Sequence, residues 1–225
     1  MAITPMKRPL YGPDGKFIPP APVEMSLEAH WLNPLETTRL PNWLTATGTV
    51  AYTNQPAARA GLRITSGTAP QAQAKLAATT AVDTTLIEGI RFDLFGVEFS
   101  TDAMPIGMGL AGSSGRGAYI SQSAATDVPG GAVARFKWGG GAGDVATKFR
   151  FRGDNVALSR RNLSLLALPR QGHTYLLQND QVVAFTESMA GYLQGSIAPD
   201  ISITNTVSTA VTMSVQKVRL TVWQS

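Results

Sequence analysis

Acids and histidines are the side chains that carry out most hydrolytic chemistry. A glycosidase needs two carboxylates at a fixed separation, one acting as acid and the other as base or nucleophile. The nearest such cluster in this chain is Asp93, Glu98 and Asp102. Asp93 and Glu98 have opposite parity, so a regular strand would present them on opposite faces. We therefore interpret both as ordinary edge or outer-face charges.

Other catalytic sets are also missing from the sequence. The two histidines, His30 and His173, lie far apart, and there is no cysteine. The Gly-Ser-Ser-Gly run at 112–115 lacks the spacing of a nucleophile elbow, and no helix pattern follows the glycine-rich run 139–143, as a phosphate loop would require. No spacing of metal ligands is found, although calcium held by loop oxygens would leave no such spacing. We expect a protein that is not an enzyme and has no catalytic, cofactor-binding or metal-ligating residues.

The composition indicates a chain of many short strands. Of 225 residues, 44% are hydrophobic and 15% charged, which excludes a disordered chain, while 22 Gly and 14 Pro disfavour long helices. The sequence pattern allows at most one short helix, over residues 27–35. Apolar runs of high strand propensity alternate with turn residues, as in a sandwich or barrel. The predicted strands are 47–52, 62–66, 73–77, 86–95, 118–123, 132–138, 148–152, 163–168, 174–178, 181–186, 201–204 and 211–223.

The last predicted strand changes the face that it buries. Its apolar residues occupy odd positions up to Val215 and even positions from Val218 onward. A strand cannot exchange faces without an extra residue. The pattern therefore predicts a β-bulge near residues 216–217.

Residues 1–42 are predicted to form an extended arm outside the sandwich of residues 43–225. Eight of the fourteen prolines lie in the arm and remove backbone donors that a sheet interior needs. Asp14-Gly15 is a turn signal for one small hairpin. We expect the arm to dock on another chain, although folding back over its own domain is the alternative, and we expect the sandwich to fold without residues 1–40. The apolar residues proposed as assembly contacts are Tyr11, Phe17, Ile18, Trp31 and Leu32.

The net charge of +4 is unevenly distributed. Residues 130–175 contain eight Lys and Arg against two Asp, and cations alternate with aromatics there. If strands 132–138 and 148–152 pair, the cations share one face. That face is either simply solvated or suits an acidic protein surface, a phosphate or an anionic glycan. The predicted basic face consists of Arg135, Lys137, Lys148, Arg150 and Arg152.

Partners of two other classes are not expected. Nucleic-acid binding is disfavoured because no solvent-facing aromatics are predicted to stack bases. No apolar run is long enough for a membrane span, and the N-terminus lacks the apolar region of a signal peptide.

Several short motifs resemble a known fold family. The segments at 41–43, 61–64 and 90–93 resemble the front half of a concanavalin A-like jelly roll, and the hairpin at 175–184 is similar to that of laminin-G-like domains. The resemblance implies an all-β, antiparallel β-sandwich. Together with the proline-rich arm and the absence of cysteine, the chain resembles a bacteriophage virion component.

This resemblance implies a structural or interaction subunit of the virion. The expected protein is a minor tail or capsid decoration protein, made in the host cytoplasm, that is homo-oligomeric and contacts other virion proteins through its arm. Its sandwich would supply a solvent-facing or host-facing surface, and a host surface glycan is the candidate ligand of that surface. A carbohydrate-binding module that stacks sugars on Tyr119 and Tyr192 is the alternative, and a glycan hydrolase or lyase ranks third.

Overall fold

The computed structural model describes two large antiparallel sheets and one small hairpin. It describes residues 10–11, 17–18, 23–31, 40–53, 61–79, 81–100, 106–112, 117–124, 132–137, 145–149, 160–186, 195–205 and 208–224. The strands are β1 Leu10–Tyr11, β2 Phe17–Ile18, β3 Val23–His30, β4 Leu44–Thr47, β5 Thr49–Thr53, β6 Gly61–Thr65, β7 Gln73–Ala78, β8 Val82–Asp83, β9 Ile87–Phe99, β10 Ile106–Gly112, β11 Gly117–Ala124, β12 Ala132–Lys137, β13 Val145–Phe149, β14 Arg161–Leu168, β15 His173–Gln178, β16 Gln181–Thr186, β17 Ser196–Thr204, β18 Thr212–Val215 and β19 Lys217–Gln224. A 3-10 turn, Thr84–Leu86, lies between β8 and β9.

The two large sheets have eight and nine strands. The eight-stranded sheet has the order β13-β12-β11-β10-β17-β7-β4, with β8 also pairing with β17. The nine-stranded sheet has the order β16-β15-β14-β9-β18-β6-β5, and β19 lies between β9 and β3. The expected all-β antiparallel sandwich is confirmed.

The core consists of the alternating apolar residues of both sheets. Leu76 on β7 and Ile201 on β17 come from one sheet, and Phe92 on β9 and Leu165 on β14 come from the other; all four side chains are 0% exposed. Period-two alternation therefore places the polar residues of these strands on the two outer faces.

Four observed strands have no counterpart of their own in the list of predicted strands: β3, β4, β8 and β10. In β10, glycine occupies three of seven positions, so its strand propensity is weak and its pairing with β11 and β17 holds it in place. The predicted strand 148–152 begins earlier, at Val145.

The predicted reversal of the last strand is confirmed. It ends as β18 and restarts as β19 after Gln216, with odd residues buried before this point and even ones after it. Strand β9 reverses at the same level, at Gly96, whose φ is +63°. Because both strands carry the irregularity, they keep one register: Ser214 is opposite Glu98 and Lys217 is opposite Phe95.

Part of the predicted arm belongs to the nine-stranded sheet, which corrects the expectation that this stretch stays outside it. Strand β3 pairs with β19 along all eight residues. The backbone N–H of Trp31 donates to the Gln216 carbonyl at 2.8 Å, and its side chain is 1% exposed in the core. The reason is local: no proline occurs in residues 23–31, and apolar and polar residues alternate there. The proposed short helix is a strand over its first residues, 27–30.

The structure confirms the small hairpin. Strands β1 and β2 pair antiparallel, with Leu10 opposite Ile18 and Tyr11 opposite Phe17. Neither strand pairs with another described strand. Leu32 lies outside the described residues.

No helix within the described ranges is long and apolar enough to cross a membrane.

Candidate functional site

The outer face of the eight-stranded sheet carries a carboxylate at its centre. Asp200 of β17 is 6% exposed and lies opposite Ala77 of β7 and Gly109 of β10. We call the outer-face positions around it, on β7, β17, β10, β11, β12 and β13, the Asp200 face. Buried acids are rare unless they are paired or functional, which makes Asp200 a candidate functional residue.

Among the residues that the structure describes, Asp200 has one ion-pair partner. The Lys75 Nζ on β7 lies 2.9 Å from Asp200 Oδ2, and the lysine side chain is 38% exposed. Burial raises the pKa of Asp200 above its ordinary value, and the hydrogen bond and charge of Lys75 oppose this rise only in part. Within the described residues, Asp200 Oδ1 accepts no hydrogen bond.

The strands beside Asp200 present small residues at the outer face. The positions on β10 that share the face of Gly109 are Gly107 and Ala111. Next to Asp200 along β17, the same face carries Ala198. Glycine in a strand weakens it but lets a ligand come close to the backbone. Small residues thus lie beside a carboxylate whose charged form burial disfavours.

The register brings the predicted glycan contact Tyr119 to this face. Tyr119 of β11 is opposite Gly109, which is itself opposite Asp200. Two strand spacings separate Tyr119 from Asp200, about 10 Å. The second predicted contact, Tyr192, lies outside the described residues.

The predicted basic face also maps here, as far as the structure describes it. Strands β12 and β13 pair antiparallel, which is the condition for a shared face of cations. Lys137 is opposite Tyr119, Arg135 is two residues away on the same strand, and Lys148 is opposite Val133, so these cations occupy outer-face register positions. Arg150 and Arg152 lie outside the described residues.

On the nine-stranded sheet, the structure corrects the interpretation of Asp93. Its side chain is 0% exposed, and its oxygens accept hydrogen bonds from Arg91 Nε at 2.6 Å, Arg219 Nε at 2.9 Å and the Ser164 hydroxyl. Arg91 also bonds to Asp180. Although burial lowers the pKa of Arg91, the bonds to Asp180 and Asp93 outweigh this and raise it overall. Asp93 is thus a buried, fully paired acid.

The two acids of the sequence cluster share a face after all. The reversal at Gly96 places Glu98 on the outer side together with Asp93, whereas a regular strand would have separated them. Glu98 lies 3.5 Å from Arg160. Five strand positions separate the two acids, about 16 Å, so they do not form a glycosidase pair. Asp102 lies outside the described residues.

The histidines have ordinary partners. His30 Nε2 lies 3.0 Å from Glu28, and His173 Nδ1 lies 3.2 Å from the Tyr175 hydroxyl. In the part of the chain that the structure describes, no three His, Asp or Glu side chains are grouped to hold a metal ion.

Asp200 was missed in the sequence because the strand was predicted to begin at Ile201. The apolar alternation begins earlier, with one parity shared by Ile197, Pro199, Ile201 and Ile203. This pattern predicts a longer strand with Asp200 on its polar face. Its glycine neighbours come from a strand about ninety positions earlier, which no local pattern identifies.

Comparison with known proteins identifies the fold. No protein-family model and no curated protein matches the chain. Among solved structures, the metal-free Emp46p carbohydrate recognition domain is similar with a TM-score of 0.60 and 10% identity, over 85% of this chain and 94% of that one. The winged bean acidic lectin in complex with methyl-α-D-galactose has a TM-score of 0.60 and 8% identity, over 90% and 100%. A family 16 endo-glucanase from Bacteroides ovatus has a TM-score of 0.60 and 8% identity, over 86% and 99%.

These neighbours define the fold. The chain has the concanavalin A-like jelly-roll fold of lectins and glycosidases, as the sequence motifs implied. At such low identity the likeness shows the fold alone.

Proposed function

We propose that the chain is a carbohydrate-binding protein that holds a glycan on the Asp200 face. The observation that carries this proposal is Asp200 itself, a carboxylate that is 6% exposed, lies beside the glycines of β10 and, among the described residues, is paired only through Oδ2. A sugar hydroxyl donates to a carboxylate oxygen, and Tyr119 offers a ring on which a second sugar stacks. Three of the structural neighbours are a carbohydrate recognition domain, a lectin and an endo-glucanase.

The basic positions favour a glycan that carries acidic groups. Lys75 lies beside Asp200, and Lys137 and Arg135 occupy the same face two strands beyond Gly109. The Asp200 carboxylate would accept hydroxyl donors, while the cations would attract carboxylate or sulfate groups further along the chain.

Binding without hydrolysis is part of the proposal. On β7, β8 and β10, the strands that pair with β17, the sequence holds one other carboxylate, Asp83, which is opposite Ser196. This position is four residues from Asp200 along the strand, about 13 Å, whereas hydrolases hold their two carboxylates about 5–9.5 Å apart. A reducing-sugar assay with each bound glycan should therefore show no product.

A glycan array followed by calorimetry tests the site. We expect the wild-type chain to bind acidic glycans, and Asp200→Asn to weaken binding about 10–100-fold, since a hydrogen bond to a charged group contributes about 1.5–3 kcal/mol. Asp180→Asn, on the other sheet, is the matched control and should bind normally. Equal binding by wild-type and Asp200→Asn would contradict the site, and a blank array at high protein concentration would contradict the function.

We further propose that this binding serves a virion subunit that attaches to a host surface glycan. The hairpin that holds Tyr11, Phe17 and Ile18 supports a separate docking element, since it pairs with neither described sheet. Trp31 is withdrawn from the proposed contacts because it fills the core of its own sandwich. Removing residues 1–22 should leave the sandwich folded and prevent incorporation into particles; normal incorporation would contradict this role.

A further inference from the structure

A polar trough lies on the outer face of the nine-stranded sheet, where β18 runs between β6 and β9. Arg63 of β6 and Glu98 of β9 form its two walls, and both are opposite Ser214 of β18. Thr212 and Ser100 occupy the next row of the same face. The cavity has a volume of about 200 Å³. We call it the Arg63 trough.

The alternation of β18 explains the shape of the trough. Met213 and Val215 are buried in the core, so Thr212 and Ser214 face outward. These two outward side chains are short, whereas the flanking strands carry an arginine and a glutamate at the same level. The result is a gap one strand wide, with hydroxyl groups on its floor.

The hydroxyl groups on the floor can exchange hydrogen bonds with a ligand. The Thr212 N–H donates to Ser100 Oγ at 2.9 Å. A hydroxyl that accepts one hydrogen bond still has its own proton to donate. Within the described part of the chain, no hydrogen bond engages the Ser214 hydroxyl. Ser100 and Ser214 therefore offer donors as well as acceptors at the base of the trough.

The walls carry one excess positive charge. Arg63 is exposed, and none of the described acids forms an ion pair with it. At the other wall, Glu98 Oε2 lies 3.5 Å from Arg160 Nε, which is longer than the roughly 2.7–2.9 Å of a strong charge-assisted hydrogen bond. Two guanidinium groups and one carboxylate leave one positive charge, and it lies on the Arg63 side. This balance favours a ligand with a single negative charge.

We propose that the Arg63 trough binds a sugar acid whose carboxylate pairs with Arg63. A guanidinium can bind a carboxylate through two parallel hydrogen bonds. At the opposite wall, Glu98 accepts hydrogen bonds from sugar hydroxyls, while Ser100 and Ser214 bind the hydroxyls that point to the floor. Two strand spacings, about 10 Å, separate the backbones of the two walls, which leaves room for one sugar ring between their side chains.

Both walls are needed to select this ligand. A neutral sugar would leave the charge of Arg63 without a partner, and a sulfate ion would bring only acceptor oxygens toward Glu98, which repels them. The trough lies on the other sheet from Asp200. It is therefore a second site that does not depend on the first.

An NMR titration of the isotope-labelled chain tests the site. Glucuronate should shift the amide signals of Arg63, Ser100 and residues 212–214. Glucose, which lacks the carboxylate, and acetate, which lacks the hydroxyls, should each bind at least about 10-fold more weakly. Equal binding of acetate and glucuronate would overturn the proposal, since the trough would then take any small anion. Glucuronate shifts confined to the Asp200 face would also overturn it, while leaving the function proposed for that face intact.

A pair of charge-matched variants tests the role of Arg63. Arg63→Gln should weaken glucuronate binding about 10–100-fold and leave the melting temperature unchanged, because the side chain is exposed. Arg170→Gln removes the same charge from a side chain that is 51% exposed, in the turn between β14 and β15, and should bind glucuronate normally. Unchanged binding by Arg63→Gln, or equal weakening in both variants, would overturn the proposal.

A free sugar acid and an acidic unit within a glycan present the same chemistry to the trough. A trisaccharide with one glucuronate between two neutral sugars distinguishes these sources in the same titration. Tighter binding of the trisaccharide than of free glucuronate would assign the trough to a glycan chain, and exclusion of the trisaccharide would assign it to a free sugar acid. Failure of both ligands to shift the signals of the trough would overturn the proposal.

Discussion

Gly96 and Gln216 lie opposite each other at the level where two neighbouring strands exchange the faces that they bury. The Gln216 N–H donates to the Phe95 carbonyl at 3.0 Å, and the Gln216 side chain occupies the space that a Cβ on Gly96 would need. The two reversals compensate each other, so β9 stays in register with β18 and with β19. The same pair of residues decides which side chains reach the outer face beyond this level.

Replacing Gly96 should destabilise the sandwich. Its φ is +63°, and a Cβ would come within 2.2 Å of Gln216 Oε1, so Gly96→Ala meets both backbone strain and a side chain that must move. We expect a loss of about 1–3 kcal/mol in the free energy of unfolding, measured by urea denaturation. Gly67→Ala is the control, because its Cβ would make an ordinary contact of 3.5 Å with Ala72. Equal stability of both variants would show that the reversal does not depend on glycine.

Asp93→Asn should lower the free energy of unfolding much more than Asp180→Asn, a change at an exposed acid nearby. It removes the charge that Arg91 and Arg219 share at a fully buried position, and breaking a buried pair costs about 3–5 kcal/mol. Asp180→Asn, at an acid whose side chain is 73% exposed, should cost at most about 1 kcal/mol. Denaturant midpoints for the two variants provide the comparison, and a tolerated Asp93→Asn would mean that the arginines are solvated well enough without it.

Asp200→Asn should stabilise the protein near neutral pH. The folded state raises the pKa of Asp200, so wild-type stability from this group is greatest below the unfolded pKa and is lost as the pH rises through the folded pKa. The variant's advantage should therefore be small near pH 3 and grow to about 1 kcal/mol at pH 7, as melting temperatures would show.

Asp83→Asn is a control for which we expect the opposite change in stability at neutral pH. Hydrogen bonds from the backbone and side chain of Thr85 lower the pKa of Asp83. Its contribution to stability is present above the unfolded pKa and lost as the pH falls through the folded pKa. The Asp83→Asn variant should thus be less stable than wild type at neutral pH, with the difference shrinking in acid. Parallel pH profiles for the two variants would refute the contrast between a buried and a capping carboxylate.

Trp31→Ala should show that β3 belongs to the sandwich. The side chain is 1% exposed in the core, and truncating a buried aromatic residue costs about 3–5 kcal/mol. Met25→Ala, on the same face of the same segment but 53% exposed, should cost little. Thermal unfolding of both variants gives the answer; a stable Trp31→Ala protein would restore the expectation that this residue serves another chain.

Much of the strand pattern could be predicted from the sequence, because period-two alternation depends on residues close together in the chain. It located the hairpin β15 to β16, for which Gln181–Thr186 was predicted at its observed bounds. It also predicted the reversal of the last strand, from the change of parity between Val215 and Val218. Proline density, by contrast, misled the interpretation of β3, since the prolines flank that strand without entering it.

The candidate site could be identified only from the tertiary structure. Whether Asp93 is exposed depends on Arg219 and Ser164, which reach it from strands that are distant in the chain. Asp200 stands beside Gly109 only because β17 pairs with β10 in one register, and a slip of one residue would turn it into the core. That register is set by the packing of both sheets together. The sequence by itself therefore determined which residues alternate, and only the tertiary structure decided which of them meet.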